Sequence, residues 1–384
     1  MKILHAIQSV DPSWGGPIES IKQFAAATNA THRHHVVSID PPSAPFLREF
    51  PLNVTTLGPG SVLGYSARLT PWLREHAMDF DCVIIHGLWR YVSFGSWRAL
   101  RSIRMPYLVM PHGMLDPWFK HTYRLKHLKK WLFWPWTEYR VLKDAAAVIF
   151  TSEEERVRAR ESFWLYRCRE TVGAHVISGP TGDDREQRAH FTQVYPQIAG
   201  KRVLLYLGRI HPLKGCDLLL SAFATVAQDE PDLHLVMAGP CHNGWDEQLQ
   251  RQAQTLGLEH RVTWTGMLKG ELKWGAFHSA EAFILPSHLE SFGVAVAEAL
   301  ACGVPVLISN KVQIWREIAA ESAGIIETDN LAGTERLLRR WAALSVVERL
   351  QMVERARHCF ANRFESGRAA EKLGQILRMA IKPA

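Results

Sequence analysis

The sequence lacks several features that would point to other classes of protein. It has no low-complexity tract, and no apolar run approaches the roughly 20 residues that span a bilayer. Its 6 cysteines include no C-x-x-C pair, and no P-loop, H-E-x-x-H or Cys/His metal spacing occurs. These absences predict a cytoplasmic protein with reduced thiols, and a reaction that needs neither metal nor cofactor.

Two other readings of the chain are set aside for want of supporting residues. The start, MKILHAIQSV, is interpreted as a first strand, because Asp11 follows where a signal peptide would have a small-residue cleavage site. Asp79-Phe80-Asp81 precedes a strand and is interpreted as a turn, not a metal site. The net charge of +7 lies mostly in the first half, and no nucleic-acid partner is predicted.

Strand and helix patterns alternate along all 384 residues, a length that favours two domains. Short apolar runs such as Cys82–His86 alternate with helical patterns, and VLLYLG restarts the alternation after residue 200. The alternation predicts an α/β fold of two Rossmann-like domains with parallel sheets. The predicted boundaries are a first domain at 1–178, a polar linker at 179–200, a second domain at 201–365 and a C-terminal helix at 366–384.

The stretch Phe283–Asn310 carries two carboxylates. It predicts strand, loop, helix and strand, with the helix running from near Ser291 to Cys302. Glu290 lies in the loop, and Glu298 shares one helix face with Ser291 if the helix starts there. A buried carboxylate needs donors. Two interpretations remain: a ligand rich in hydroxyls and negative charge, such as a sugar nucleotide, or a Lys or Arg from the core.

The segment LPSHLESFGVAVAEALACGVPV closely resembles the donor-site motif of family 4 of the retaining glycosyltransferases, which have the GT-B fold. The resemblance implies transfer of a hexosyl group from a UDP- or GDP-linked sugar. It implies that Glu290 holds sugar hydroxyls and Glu298 the ribose diol, with the amides of Phe292 and Gly293 near the sugar. It also implies an acceptor-binding first domain facing a donor-binding second domain across a cleft, and a last helix that crosses back to the first.

Two cations open the second half. Arg209 and Lys214 stand where a buried strand gives way to a helix, and an Arg fork, a Lys point charge and helix amides suit a diphosphate. Solvated surface cations are the alternative. GRIHPLKG also resembles the family's diphosphate motif, G-R-x-x-x-x-K-G. The strand ends at Gly239 and Met267 are predicted to border the base pocket.

A glycine pair and two histidines mark the first half. Gly15 and Gly16 precede a helix, and the resemblance puts Gly16 near the donor diphosphate and Gly15 near the acceptor; a tight strand-to-helix turn is the alternative. His86 and His112 each follow a strand and precede a Gly. His112 matches the family position where a His reaches the donor sugar, and His86 is predicted on the acceptor side. The predicted catalytic residues are His112, Glu290, Arg209 and Lys214.

Residues 118–140 combine six Lys or Arg with eight aromatic residues. This pattern predicts contact with the anionic inner face of the cell membrane. The acceptor would then be a glycan or a polyprenyl-diphosphate-linked sugar, as in bacterial exopolysaccharide or lipopolysaccharide synthesis. Packing of the aromatics onto the first domain is the alternative. The predicted interfacial aromatics are Trp118, Phe119, Trp131, Phe133, Trp134 and Trp136.

Two functions of other classes remain open. An NAD-dependent oxidoreductase is favoured by Asp40 at the end of the second strand, and opposed by the absence of a dinucleotide fingerprint. A non-catalytic nucleotide-sugar-binding protein of the same fold is the other.

Overall fold

The computed structural model describes residues 1–60, 64–122, 124–173, 175–241 and 244–381, with the side chains of Phe119 and His121 left out. The chain forms two compact units. The first unit is Met1–Ile177 together with the final segment from Ser366, and the second is Ser178–Glu365. Within the described ranges, no helix is both long and apolar enough to cross a bilayer.

The first unit is built on a parallel sheet of seven strands in the order β3-β2-β1-β4-β5-β6-β7. Its strands are β1 (Lys2–Ala6), β2 (Arg33–Ser38), β3 (Asn53–Thr56), β4 (Cys82–His86), β5 (Tyr107–Met110), β6 (Ala147–Phe150) and β7 (Glu170–Val172). Its helices before the second unit are α1 (Gly16–Thr28), α2 (Leu69–His76), α3 (Tyr91–Ser102), α4 (Trp118–Thr122), α5 (Arg124–Phe133), α6 (Glu138–Asp144) and α7 (Glu153–Ala159).

The second unit repeats this architecture with six parallel strands in the order β10-β9-β8-β11-β12-β13. Its strands are β8 (Arg202–Leu207), β9 (Leu233–Ala238), β10 (Val262–Gly266), β11 (Ala280–Leu285), β12 (Val306–Ser309) and β13 (Gly324–Glu327). Its helices are α8 (Asp184–Val194), α9 (Cys216–Val226), α10 (Trp245–Thr255), α11 (Gly270–Ser279), α12 (Val294–Ala301), α13 (Trp315–Ala320), α14 (Leu331–Ala343) and α15 (Val346–Arg363). The final helix of the chain is α16 (Ser366–Ile381).

The central strands are apolar because both faces of the sheet are covered. Every residue of β4 is buried. On one face of the first sheet, Ile84 and Leu108 pack against Phe24 of α1 and Leu373 of α16. On the other face, Val83 and Val109 pack against Trp97 of α3 and against helices farther along the chain. The helix α16 therefore closes the core of the first unit, as the predicted fold requires.

Two local predictions differ from the structure. The stretch 179–200 is not an open linker, because α8 lies within it and packs on α11 of the second unit. The Asp183 side chain caps α8 by accepting the Arg185 and Glu186 amides, so the helix start is specified locally. The helix predicted from Ser291 begins instead at Val294, after Gly293 in the left-handed region. Ser291 consequently lies outside the helix, and its predicted face with Glu298 does not form.

Candidate active site

The second sheet changes direction at the pair β8 and β11. From β8 the chain builds outward through β9 to β10, and from β11 it builds the other way through β12 to β13. Ligands of open α/β sheets bind at such a switch point, beyond the carboxyl ends of the strands. Arg209 and Lys214 follow β8, and Glu290 follows β11. Three predicted catalytic residues therefore lie at the loops of the switch point.

Lys214 and Glu290 form a direct ion pair in this structure. The Lys214 Nζ lies 2.5 Å from Oε2 of Glu290, and both side chains are largely covered. Glu290 is held by its own backbone as well, since its amide donates to the Lys311 carbonyl and its carbonyl accepts from Gln313. The loop after β11 is thus tied to the loop after β12, and the carboxylate is aimed at the lysine.

The charges of Arg209 and Lys214 both influence the imidazole of His211. Burial lowers the pKa of His211, and the charges of Arg209 and Lys214 lower it further. The neutral ring accepts a hydrogen bond from the Leu213 amide at Nδ1, 3.2 Å away, which caps the turn that carries Lys214. Arg209 is exposed, and its carbonyl accepts from the buried Tyr206 hydroxyl at 2.9 Å. Positive charge is therefore concentrated beside an open surface.

Close backbone packing explains the glycine at the end of β9. Gly239 has φ of 143°, and a Cβ there would lie 1.8 Å from the Gly208 carbonyl oxygen. Only glycine fits, because the loops after β8 and β9 touch through their backbones. Met267, which follows β10, is exposed. The predicted border of the base pocket thus contains one residue required by packing and one open to solvent.

Glu298 is buried in α12 and paired with Lys273 of α11. The Lys273 Nζ lies 2.9 Å from Oε1 of Glu298, and Lys273 also stands 4.0 Å from the ring centre of Trp274. The lysine-partner interpretation of both glutamates is therefore realised in the described structure. Phe292 is buried and meets Phe364 edge-on, so only its backbone is available as the predicted donor.

In the first unit, Gly15 and Gly16 start α1 with open space beside them. A Cβ on either glycine would meet nothing within 4 Å. Gly15 has φ of 78°, and the preceding turn is capped by the Asp11 side chain. A neighbouring cavity of about 280 Å³, lined by Trp14 and His86, lies within the first unit.

The loop that carries His112 is held in a strained shape. His112 has φ of 52° and Gly113 has φ of 75°. The buried Glu155 of α7 accepts the Gly113 amide at 2.7 Å through one oxygen, and the Thr151 amide and hydroxyl through the other. Burial raises the pKa of Glu155, opposed by these hydrogen bonds. The carboxylate thereby fixes the backbone at His112.

His112 and His86 are directly hydrogen-bonded, with His112 Nε2 and His86 Nδ1 3.0 Å apart. His86 continues to His5 of β1, and His5 to His34 of β2, at 3.0 and 2.9 Å. Burial lowers the pKa of all four imidazoles, to about 3 for His112 and about 4 for His34. The sequence pointed to two of these histidines, and the structure joins four.

Asp40 is committed to the fold. Its Oδ1 accepts from the Ser9 hydroxyl at 2.5 Å, and its Oδ2 accepts from the Val10 amide at 2.9 Å. Both carboxylate oxygens of Asp40 therefore hold the loop after β1. This structural role accounts for the residue that favoured an NAD-dependent oxidoreductase.

Two family descriptions match the chain. "Glycosyl transferase 4-like domain" matches residues 15–172, and "Glycosyl transferases group 1" matches residues 188–358. Together the two matches cover most of both units. The first unit therefore matches one glycosyltransferase domain family, and the second unit matches another.

The curated relatives of this chain have names that denote different enzymes. The D-inositol 3-phosphate glycosyltransferase of Segniliparus rotundus is 32% identical over 190 residues, covering 47% of this chain and 41% of that protein. The mannosylfructose-phosphate synthase of Agrobacterium fabrum is 34% identical over 274 residues, covering 63% of this chain and 56% of that protein. The chain thus spans about half the length of the curated relatives that it matches.

A solved structure supports the fold of this chain over nearly its whole length. Anabaena HepE in complex with UDP and glucose has a TM-score of 0.78 at 18% identity, covering 98% of this chain and 99% of that chain. Both units of this chain are parallel-sheet Rossmann-like domains. The predicted GT-B fold is confirmed.

Several residues that hold the predicted site residues in place have no clear signal in the sequence. Lys273 and Glu155 lie in ordinary helical patterns, and the role of each appears only once α11 and α7 are packed. His5 and His34 are unremarkable strand residues in the sequence, yet they are joined to His86. The signal that could have found His5 is a polar residue in an otherwise apolar strand, whereas Glu155 lies among other charged residues and has no such signal.

Proposed function

We propose that this protein is a retaining, metal-independent transferase that moves a hexosyl group from a nucleotide sugar to a glycan or lipid-linked acceptor. The observation that carries the proposal is the placement of Arg209, Lys214 and Glu290 in the loops of the switch point between β8 and β11. A diphosphate and a sugar present the negative charge and the hydroxyl donors that this set of side chains would recognise.

The ion pair of Lys214 and Glu290 suggests how the donor enters. Each side chain neutralises the other at 2.5 Å. A diphosphate would take Lys214 as a point charge and Arg209 as a fork, and Glu290 would then be free to accept hydroxyl groups of the sugar. The ion pair would thereby hold both side chains in position for a ligand that offers a diphosphate to Lys214 and hydroxyl groups to Glu290.

The chemical step follows from the resemblance to retaining enzymes. The departing diphosphate assists the acceptor hydroxyl on the face from which it leaves, so no separate carboxylate base is required. Arg209, Lys214 and the amides near Gly16 would stabilise the charge that develops on the leaving group. Glu290 and His112 would hold the sugar, and Glu298 would hold the ribose.

Glu298 is suited to the ribose because its charge is already maintained by Lys273 at 2.9 Å. A carboxylate that is both buried and ionised is a strong acceptor for two hydroxyl groups. The lysine lowers the cost of burial, and the ribose diol would add two donors without removing the lysine.

The donor to test first is UDP-glucose, since the similar HepE structure contains UDP and glucose. GDP-linked hexoses follow, because the family resemblance implies a UDP- or GDP-linked sugar. The relatives named for inositol phosphate and fructose phosphate act on small phosphorylated acceptors, which supply a control for the acceptor proposed here.

The proposed acceptor is lipid-linked because an exposed apolar surface lies beside a cationic one. Within α5 and the turn that follows it, Leu125, Leu128, Leu132 and Trp136 are more than half exposed. Lys126 and Lys129 are also exposed. Trp134 corrects the prediction, because it is fully buried and stacks on Phe163 at 4.2 Å. The side chain of Phe119 lies outside the described residues.

A cavity of about 910 Å³ adjoins this surface within the first unit. It is lined by aromatic rings and cations, including Trp89, Phe94, Phe133, Lys126 and Lys129. An isoprenoid chain would contact the rings, and a lipid diphosphate would contact the lysines. A polyprenyl-diphosphate acceptor at the inner face of a bacterial membrane, for surface polysaccharide synthesis, satisfies both requirements.

The experiment is a panel of radiolabelled UDP-, GDP- and ADP-hexoses, tested for transfer to a polyprenyl-diphosphate sugar, to inositol phosphate and to fructose phosphate. Transfer to the lipid from one donor, with the anomeric configuration retained in the product, is the expected result. Transfer with inversion would contradict the retaining mechanism. Tight nucleotide-sugar binding with neither transfer nor hydrolysis would favour the binding protein instead.

A further inference from the structure

Four histidines form a continuous hydrogen-bonded row on one face of the first sheet. His34, His5 and His86 lie on the neighbouring strands β2, β1 and β4, and His112 follows β5. The register shows the spacing: His34 pairs with Ile3, two residues before His5. His5 in turn pairs with Ile84, two residues before His86.

The last step of the row follows the same rule. His86 pairs with Met110, two residues before His112. Because side chains alternate between the faces of a strand, a shift of two residues keeps the imidazoles of His34, His5 and His86 on the same face. His112 lies beyond β5, and its hydrogen bond to His86 places it next in the row. The row therefore runs diagonally from near the amino end of β2, through β1 and β4, to the loop beyond the carboxyl end of β5.

The ring nitrogens alternate along the row without a break. His34 Nδ1 meets His5 Nε2 at 2.9 Å, and His5 Nδ1 meets His86 Nε2 at 3.0 Å. His86 Nδ1 meets His112 Nε2 at 3.0 Å. A neutral imidazole has one N–H and one lone pair, so the direction of any one of these hydrogen bonds fixes all the others.

Thr28 at the end of α1 sets that direction. Its hydroxyl donates to the Phe24 carbonyl at 2.7 Å, and a carbonyl oxygen can only accept. The hydroxyl has a single proton, so it must accept from His34 Nε2, 2.9 Å away. His34 then carries its proton on Nε2 and accepts on Nδ1, and the same assignment passes through His5 and His86 to His112.

The imidazoles are neutral, as this assignment requires. Burial lowers the pKa of His34 to about 4 and that of His112 to about 3, and holds those of His5 and His86 well below the ordinary value. The amino terminus lowers the pKa of His34 further, as does His32 when protonated. Protonation of a neighbouring histidine would lower the pKa of His86 or His112 in the same way.

We propose that Thr28, His34, His5 and His86 are positioning residues that fix His112 as the Nε2–H tautomer, so that its Nδ1 presents a lone pair to a hydroxyl group of the sugar. That the hydroxyl belongs to a sugar rests on the function proposed above. The tautomer of His112 rests on the hydrogen bonds alone. As a consequence, the ligand must donate a hydroxyl proton to His112. This requirement is set by Thr28, which is separated from His112 by three imidazoles.

The first test reads the tautomer directly. In protein labelled with ¹⁵N-histidine at neutral pH, long-range ¹H–¹⁵N spectra distinguish protonated from unprotonated ring nitrogens, and couplings across N–H···N bonds give their direction. His112 signals are identified by their loss in His112→Asn. Wild type should show protonated Nε2 and unprotonated Nδ1 at His112, with couplings through His86 and His5 to His34. A proton on Nδ1 of His112, or a cationic ring there, would overturn the proposal without reference to activity.

The second test uses Thr28→Val, with Thr28→Ser as the matched control. Valine has the shape of threonine but cannot accept the His34 proton, so His112 should show both tautomers; serine should preserve one. The same variants are titrated with the nucleotide sugar and its monofluorinated analogues, since fluorine cannot donate. One analogue should bind wild type and Thr28→Ser roughly tenfold more weakly than the parent sugar, and this penalty should shrink in Thr28→Val.

The outcomes separate the two proposals. An unchanged His112 tautomer in Thr28→Val would show that the row does not set it. A changed tautomer with an unchanged fluorine penalty would show that His112 does not contact the sugar. Absence of nucleotide-sugar binding in every protein would refute the proposed function and its hydroxyl partner, while the wild-type spectrum would still decide the tautomer.

Discussion

Glu298 keeps its charge inside an apolar helix through Lys273, and this makes it a sharp test of the donor site. Glu298→Gln keeps the shape and removes the charged acceptor that we propose for the ribose. We expect a loss on the order of 1.5–3 kcal/mol in affinity for the nucleoside diphosphate. Calorimetric titration of the folded variant measures it.

Glu281 supplies the matched control. It lies near the amino end of β11, away from the switch-point loops, and is held by Arg202 and Arg349 at 2.9 and 2.8 Å. Glu281→Gln should lower the melting temperature and leave nucleotide affinity unchanged. If Glu298→Gln also leaves the affinity unchanged, Glu298 has no part in donor binding.

Arg209 and Lys214 are predicted to contact the diphosphate and not the nucleoside. Each substitution, Arg209→Ala or Lys214→Ala, removes a charge-assisted contact, so diphosphate binding should weaken about tenfold or more while nucleoside binding changes little. Lys201→Ala is the control, since Lys201 is an exposed cation just before β8. Equal losses for both ligands would mean that the substitutions disturb the loops and not a phosphate contact.

At the scale of elements, α5 is unusual because none of its residues is fully buried. We expect it to bind anionic vesicles at low salt and to release them as salt rises, since surface charge is screened. The Lys126, Lys129, Lys130 triple-Gln variant should bind less, by up to roughly 1 kcal/mol for each exposed lysine. Co-sedimentation with anionic and neutral vesicles measures this.

A second variant separates charge from apolar contact at the same helix. Leu125→Ser together with Leu132→Ser removes two exposed leucines without opening the core. The variant should keep the salt dependence but bind more weakly at every salt concentration. If neither variant differs from wild type, or if no pelleting occurs with anionic vesicles, α5 does not contact lipid.

The helices and strands also show which element bounds can be predicted from the sequence. The bounds predicted for β4 match the structure, because a strand buried on both faces must be a short apolar run. The start of α12 was missed, since the left-handed Gly293 ends the loop three residues later than the apolar pattern suggests. Local pattern identifies an element, and backbone conformation decides where it begins.

The site was predictable only where residues close in the chain act together. Two separate motifs predict Lys214 and Glu290 as site residues, but neither motif predicts their contact, which joins the loops after two different strands. The row through His5 and His34 depends on a register of two residues between neighbouring strands, which no single-strand pattern contains. Trp134 shows the converse. The composition of residues 118–140 predicts that it lies at the membrane interface, but it is buried against Phe163.

At the scale of the whole molecule, Glu138 should make stability depend on pH. Burial raises its pKa from the ordinary 4.5 to about 7, opposed by hydrogen bonds from Ser93 and the Trp89 amide. Between these values the folded protein binds a proton that the unfolded chain has lost. The associated stability is therefore present below pH 4.5 and lost as pH rises through 7, by roughly 3 kcal/mol.

Urea unfolding at several pH values checks this expectation. The free energy of unfolding of Glu138→Gln, minus that of wild type, should rise between pH 5 and pH 8. Glu75→Gln, at an exposed glutamate of α2, should run parallel to wild type. A constant difference for Glu138→Gln would show that Glu138 titrates alike in the folded and unfolded chains.

The closure of the first unit by α16 has a consequence for how the protein is made. The segment Ser178–Glu365 intervenes between β7 and the helix that covers Ile84 and Leu108. At roughly 5–20 residues per second, a ribosome needs about 10–40 s to synthesise this segment. Throughout that interval one face of the nascent first sheet has no cover from α16. The second unit can fold as a continuous piece, so the half of the molecule that is synthesised first is completed last.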